Sequence, residues 1–223
     1  SLPSLYRSMG VSLYNETLTA SAVDRSTKLE GLFSLLLKWT FEDRIIPSPA
    51  DMASLASENT GDTGFMQATW QLFAKGRIAL HTGCRWMLMP LREIKCREEL
   101  GAILPPHGGY PNSLSSARYM VAYTGSKKKP MATAFAAYLR TEAYNMQIVE
   151  GGDNLPPIPS YMDREEYRNP KAWPNEKQLN AGFREIALKY AIGREDTPFA
   201  LHMNCERQFG KNFGAMFSRV VSP

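Results

Sequence analysis

No apolar run in this chain approaches the roughly 20 residues that a bilayer-spanning helix requires, so a transmembrane segment is excluded at the outset. Cysteine is scarce. Cys84, Cys96 and Cys205 do not make a disulfide framework, and one of them stays unpaired within a monomer. A Cys84–Cys96 bridge in an oxidising compartment and reduced buried thiols account for the count equally well. The opening SLPSLYRSMG has no apolar h-region, so Ser1 does not begin a signal peptide, and the chain is expected to be cytoplasmic, mature, or a piece of something longer.

Several chemistries are missing as well. No P-loop and no G-x-G-x-x-G occurs, so nucleotide phosphates have no obvious cradle, and there is no H-E-x-x-H zinc motif. A nucleophile elbow needs G-x-S-x-G, and the nearest approach, Gly10-Val-Ser12-Leu-Tyr14, lacks the second glycine. Carboxylates are plentiful, yet no spacing picks out an acid and base pair for glycoside cleavage. The net charge of +4 is mild and its bases are scattered. Their one cluster, Lys127-Lys128-Lys129, has no interleaved aromatics; it reads as a solvated helix start and not as a nucleic-acid surface.

What is present is an ordinary globular composition, 43% hydrophobic and 22% charged over 223 residues, enough for one or two compact domains with a real core. Residues 10–23 are rich in β-formers around a polar break and predict a strand or hairpin. Thr27 and Glu30 stand at capping-box spacing, and Leu29, Leu32, Phe33, Leu36 and Thr40 then share one helical face. Phe65, Met66, Trp70 and Phe73 recur at near-helical spacing, with Gly76 placed to close that helix. Ile78-Ala79-Leu80 predicts a short interior strand, and Gly83 a tight turn that leaves Arg85 and Trp86 beyond a strand end, where open α/β sheets hold ligands.

Further on, Leu100–Leu104 before Pro105-Pro106 predicts a strand, His107–Ser116 a long turn-rich connection, and Ala117–Tyr123 another strand. Met131, Phe135, Tyr138 and Leu139 predict the inner face of the next helix, and Gly151–Pro159 punctuates the chain as a segment crossing between packed units. Asn175 is placed to open a helix whose inner face is Leu179, Phe183, Ile186, Ala187 and Tyr190. A last helix is expected after Pro198, with Cys205, Phe209, Phe213, Met216 and Phe217 inward. One possible metal constellation, His81-x-x-Cys84 with His202-x-x-Cys205, has ligands of suitable type for zinc. Chance buried cysteines are the favoured explanation, since a strand end at His81 would place its pair on opposite faces unless the glycine turn intervenes.

Taken in order, SLYNE, a helix ending in IIPSP, F-A-K-G-R-I-A-L-x-x-G-x-x-W, Leu104-Pro105-Pro106, Y-M-V-A-Y, and S-K-K-K-P-M-A-T-A-F-A-A-Y-L followed by Gly151-Gly152 and Leu155-Pro156 resemble the extracellular solute-binding proteins of family 1, the maltose-binding-protein-like receptors of ABC importers. The resemblance covers nearly the whole chain but corresponds to the C-terminal half or so of a family member. It implies an α/β, periplasmic-binding-protein-like (type II) two-lobe fold, here mainly the C-terminal lobe plus a segment returning to lobe one. The implied divisions are 1–117 and 160–223 for lobe two and 118–159 for the returning segment.

The same resemblance implies a non-catalytic solute-capture protein with no cofactor, periplasmic or extracellular, lipid-anchored through a missing N-terminus in some forms. Its partners would be a small solute, a sugar or oligosaccharide, and the ABC transporter permease subunits, with no nucleic acid. By family position Gly83, Arg85 and Trp86 meet the ligand, together with Ser115, Ser116, Arg118 and Tyr119; Phe199 is a further ring with a structural role open to it. A sugar's apolar C–H face lies flat on an indole while polar neighbours fix its hydroxyls. The rival expectations are an α/β hydrolase acting on glycosides or esters through an unrecognised acid/base pair, and a scaffold that binds no solute.

Overall fold

The computed structural model describes residues 2–22, 26–60, 65–115, 120–193, 211 and 214–216. It is a mixed, helix-rich α/β structure with a small sheet. The chain divides into two compact units, one of residues 1–72, 105–114 and 192–223 and the other of residues 73–104 and 115–191.

In the first unit, helix α1 (Leu2–Ser8) leads into an irregular stretch in which Tyr14 and Ser21 form a single antiparallel bridge. The predicted hairpin is reduced to a turn. The Asn15 side chain explains this, because its Oδ1 accepts from the backbone N–H groups of Thr19 and Ala20 and so competes with a ladder. Helix α2 (Thr27–Leu37) buries Leu29, Leu32 and Leu36, the face that the spacing predicts. Its cap is Ser26 and not Thr27: the Ser26 hydroxyl accepts from the Leu29 N–H at 3.3 Å, leaving Thr27 as the first helical residue. Those leucines pack with Tyr6, Val11, Leu13 and Tyr14 into one core. Helices α3 (Pro49–Thr60) and α4 (Phe65–Ala74) follow.

Residues 105–114 are stitched onto α1. The Ser4 hydroxyl donates to Asn112 Oδ1 at 2.7 Å, Asn112 Nδ2 donates back to the Ser4 carbonyl, and the Gly108 and Tyr110 N–H groups are accepted by Ser8.

In the second unit the chain continues through helix α5 (Leu88–Glu93) and, beyond residue 115, helices α6 (Lys129–Tyr138), α7 (Glu142–Gly151), α8 (Glu165–Arg168) and α9 (Lys177–Tyr190). The two-stranded sheet is formed by β1 (Ser113–Leu114), which belongs to the first unit, and β2 (Ala191–Ile192), whose Ile192 belongs to that unit as well. The strands predicted at 78–80 and 100–104, and the described part (120–123) of that predicted at 117–123, are irregular instead, with Leu80, Ile103 and Val121 71–86% exposed. A strand persists only where its N–H and C=O groups meet a neighbouring strand, and none lies beside these stretches among the described residues. Helix α6 differs in the same way. It forms where predicted, but Met131 and Phe135 are exposed and none of its residues is buried.

Helix α7 is capped at one end by the Thr141 hydroxyl and closed at the other by Gly152, which is left-handed at φ 74°. Gly182 is required for a different reason: a Cβ there would lie 2.3 Å from the Ala102 carbonyl oxygen, so α9 presses directly on the 100–104 backbone. Most of the predicted C-terminal helix, including Phe199, Cys205, Phe209, Phe213 and Phe217, lies outside the described residues.

Candidate functional site

The stretch His81–Met87 leaves the exposed segment after α4 and turns into the second unit's core. Cys84 is extended, and Arg85–Met87 form one 3₁₀ turn. Successive side chains in such a turn stand about 120° apart. Arg85 and Met87 face inward and are buried, so Trp86 is directed aside and remains half-buried. Gly83 is exposed, yet a Cβ on it would sit 3.0 Å from Met87 Sδ and 3.3 Å from the His81 ring. The His81 ring in turn lies 6.2 Å from that of Phe73, and burial pulls its pKa below the ordinary imidazole value.

Arg85 is 2% exposed, and its guanidinium is fully engaged inside the protein. Nε donates to Asn180 Oδ1 at 3.0 Å, Nη1 to the carbonyls of Asn154 at 2.7 Å and Ile148 at 3.3 Å, and Nη2 to the Val149 carbonyl at 3.0 Å. The Tyr167 ring lies 4.9 Å from its Cζ. Burial pushes the guanidinium pKa down, opposed by Tyr167 and Glu176. Two of the accepting carbonyls belong to the last turn of α7, where helix carbonyls have no partner within the helix and the dipole favours a cation. Arg85 thus serves as a C-terminal cap supplied from a distant part of the chain.

A second arginine completes that cap. Arg92 Nη1 donates to the Glu150 carbonyl at 2.6 Å, while Nε and Nη2 grip the Glu176 carboxylate in a bidentate pair at 2.7 Å each. Glu176 is 1% exposed, so this pair is desolvated and its fork geometry is what makes it tolerable. Gly152 is tied to the same feature, since a Cβ there would meet the Arg92 guanidinium at 3.0 Å. Trp173 stacks below, 5.3 Å from Arg92 Cζ and 4.2 Å from Arg97 Cζ. Asn180 joins the parts: its Nδ2 donates to the Tyr167 carbonyl, and the Tyr167 hydroxyl donates to the Asn180 carbonyl. Burial raises the Tyr167 phenol to about 12 despite the opposing Arg85 and Arg184 charges.

The sequence reading did not find Arg92, Glu176, Tyr167 or Asn180. Their separations along the chain, 84 residues for Arg92 and Glu176 and 95 for Arg85 and Asn180, leave no periodic signal. Of the residues expected to meet ligand, Gly83, Arg85 and Trp86 fall on this one anchored turn, and Ser115 is exposed just past β1. Ser116, Arg118 and Tyr119 lie outside the described residues, as do His202 and Cys205 of the possible zinc set. Cys84 and Cys96 are both free thiols, the first exposed and the second buried.

A family model described as bacterial extracellular solute-binding protein matches residues 50–175, more than half of the chain and inclusive of the Gly83–Trp86 turn. The chain belongs to this family. No curated protein and no solved structure matches it. The turn that carries the half-buried Trp86 indole is fixed by the four hydrogen bonds that Arg85 donates. No helix among the described residues of the solute-binding protein is long and apolar enough to cross a membrane.

Proposed function

We propose that this solute-binding protein is the non-catalytic substrate-capture component of an ABC importer, working outside the cytoplasmic membrane, and that its solute is a carbohydrate. The family match carries the general role. The sugar assignment rests on Trp86, a half-buried indole on a turn whose neighbouring residues are locked inward. Such a ring offers a flat apolar surface at low entropic cost, because its backbone is already fixed when ligand arrives.

Gly83 allows the close packing of the turn, Arg85 positions Trp86 from below, Ser115, Ser116 and Arg118 supply the polar contacts to hydroxyls, and Tyr119 adds a second ring. The assignment of residues 1–117 and 160–223 to one lobe and 118–159 to the other belongs to this same proposal. The permease subunits are the protein partners it implies.

Titration of the protein with a panel of mono- and oligosaccharides, followed by thermal shift and calorimetry, tests the proposal. One sugar class should stabilise the fold in proportion to the logarithm of its concentration. Trp86→Ala should weaken that binding by about tenfold or more, on the order of 1.5 kcal/mol for a lost aromatic platform, with circular dichroism unchanged. Unaltered affinity in the variant removes Trp86 from the site.

A further inference from the structure

An open groove of about 630 Å³ lies in the second unit between residues 163–169 and the outer face of α9. Its volume is within the range of roughly 300–1,000 Å³ that small-molecule sites occupy. Among the described residues four cations line it, Arg168, Lys177, Arg184 and Lys189, against two carboxylates, Asp163 and Glu185. Both carboxylates are already used: Asp163 pairs with Arg184 at 2.5 Å, and Glu185 with Lys189 at 2.9 Å. Among the described residues neither Arg168 nor Lys177 makes a side-chain hydrogen bond or ion pair, so within that set the groove has an excess of two positive charges.

The position of Lys177 strengthens the case. It is the first residue of the 14-residue helix α9, the end at which the helix dipole disfavours a cation. A charge placed against local preference, on the wall of a concave site, is a conflict typical of functional positions. Beside it the Gln178 amide lines the same groove, and Leu188, 52% exposed, adds an apolar patch.

We propose that this groove binds a small dianion, a dicarboxylate or a phosphate, with one negative group drawn to Arg168 and the other to Lys177. Arg168 can grip a planar carboxylate or a phosphate with two N–H donors, whereas Lys177 acts as a mobile point charge. The site is separate from Trp86 and does not depend on the sugar assignment.

Calorimetric titration of the full chain with inorganic phosphate, with succinate and with neutral glucose, at low ionic strength, is the test. Phosphate or succinate should bind, and which of the two binds identifies the anion's source. The double substitution Arg168→Gln with Lys177→Gln should weaken that binding about tenfold or more, a few-fold for each exposed charge-assisted contact. Both residues are exposed and have no partner among the described residues, so the thermal midpoint of the double variant should stay close to that of the parent. Raising the salt to about 0.2 M should weaken binding further by screening. Trp86→Ala should leave anion binding intact. The proposal is overturned if neither anion binds at millimolar concentration, if the double variant binds as tightly as the parent, or if Trp86→Ala abolishes the anion's binding.

Discussion

Removing the Arg85 guanidinium should destabilise the second unit. Four acceptors depend on it, the Asn180 side chain and the carbonyls of Ile148, Val149 and Asn154. Charge-assisted hydrogen bonds contribute about 1.5–3 kcal/mol each, so a simple sum would reach about 6–12 kcal/mol. That sum overstates the loss, because Arg85→Ala leaves a space that water enters and the 3.3 Å contact to Ile148 is weak. The cost of removing one member of a buried charged set, about 3–5 kcal/mol, is the better figure. This is a large part of the roughly 5–15 kcal/mol by which a domain is stable.

Arg85→Lys keeps the charge but offers no planar fork, and should fall between parent and alanine variant, at about 2–3 kcal/mol. The assay is equilibrium urea unfolding, supported by a double-mutant cycle with Asn180→Ala. With a slope of about 2 kcal/mol/M, the alanine midpoint should drop by about 1.5–2.5 M. The cycle should return a coupling of about 1 kcal/mol or more. A loss below about 1 kcal/mol for Arg85→Ala, or zero coupling to Asn180, would refute the capping role.

Two other predictions concern the same unit. Tyr167 has its phenol raised from an ordinary value near 10 to about 12. Its contribution, on the order of 2–3 kcal/mol, is complete below pH 10 and is lost as pH rises from about 10 to 12, because the unfolded phenol ionises first. The urea midpoint of the parent should therefore fall more steeply across that window than that of Tyr167→Phe, and equal slopes would contradict the burial argument. Gly182→Ala forces a Cβ to within 2.3 Å of the Ala102 carbonyl and should cost about 1–3 kcal/mol by overpacking; an unchanged thermal midpoint would show that α9 moves away freely.

Helices were the legible part of the chain. The 3.6-residue recurrence of Leu29, Leu32 and Leu36 is a local property, and α2 buries those three residues. Gly152 closes α7 through its own left-handed backbone, which is again a local matter. Strands were not legible in this way. Ile78–Leu80 has the composition of an interior strand, but a strand is made by its neighbour, and Leu80 instead stands 75% exposed. The amphipathic pattern of α6 likewise sets its helical period without supplying anything to cover Met131 and Phe135.

The candidate site divides along the same line. From sequence alone came the kind of protein, through an ordered series of short motifs, and the Gly83–Trp86 turn as its point of interest. Only tertiary structure decided what Arg85 does, because its four acceptors lie 63 to 95 residues away and three of them are backbone carbonyls that no sequence pattern marks. A guanidinium next to a tryptophan reads in the sequence as a ligand contact, and only the structure adds that it caps the end of α7. The physical reason is that a helix terminus leaves carbonyls unsatisfied wherever it is buried, and the side chain that satisfies them is chosen by position in space and not along the chain.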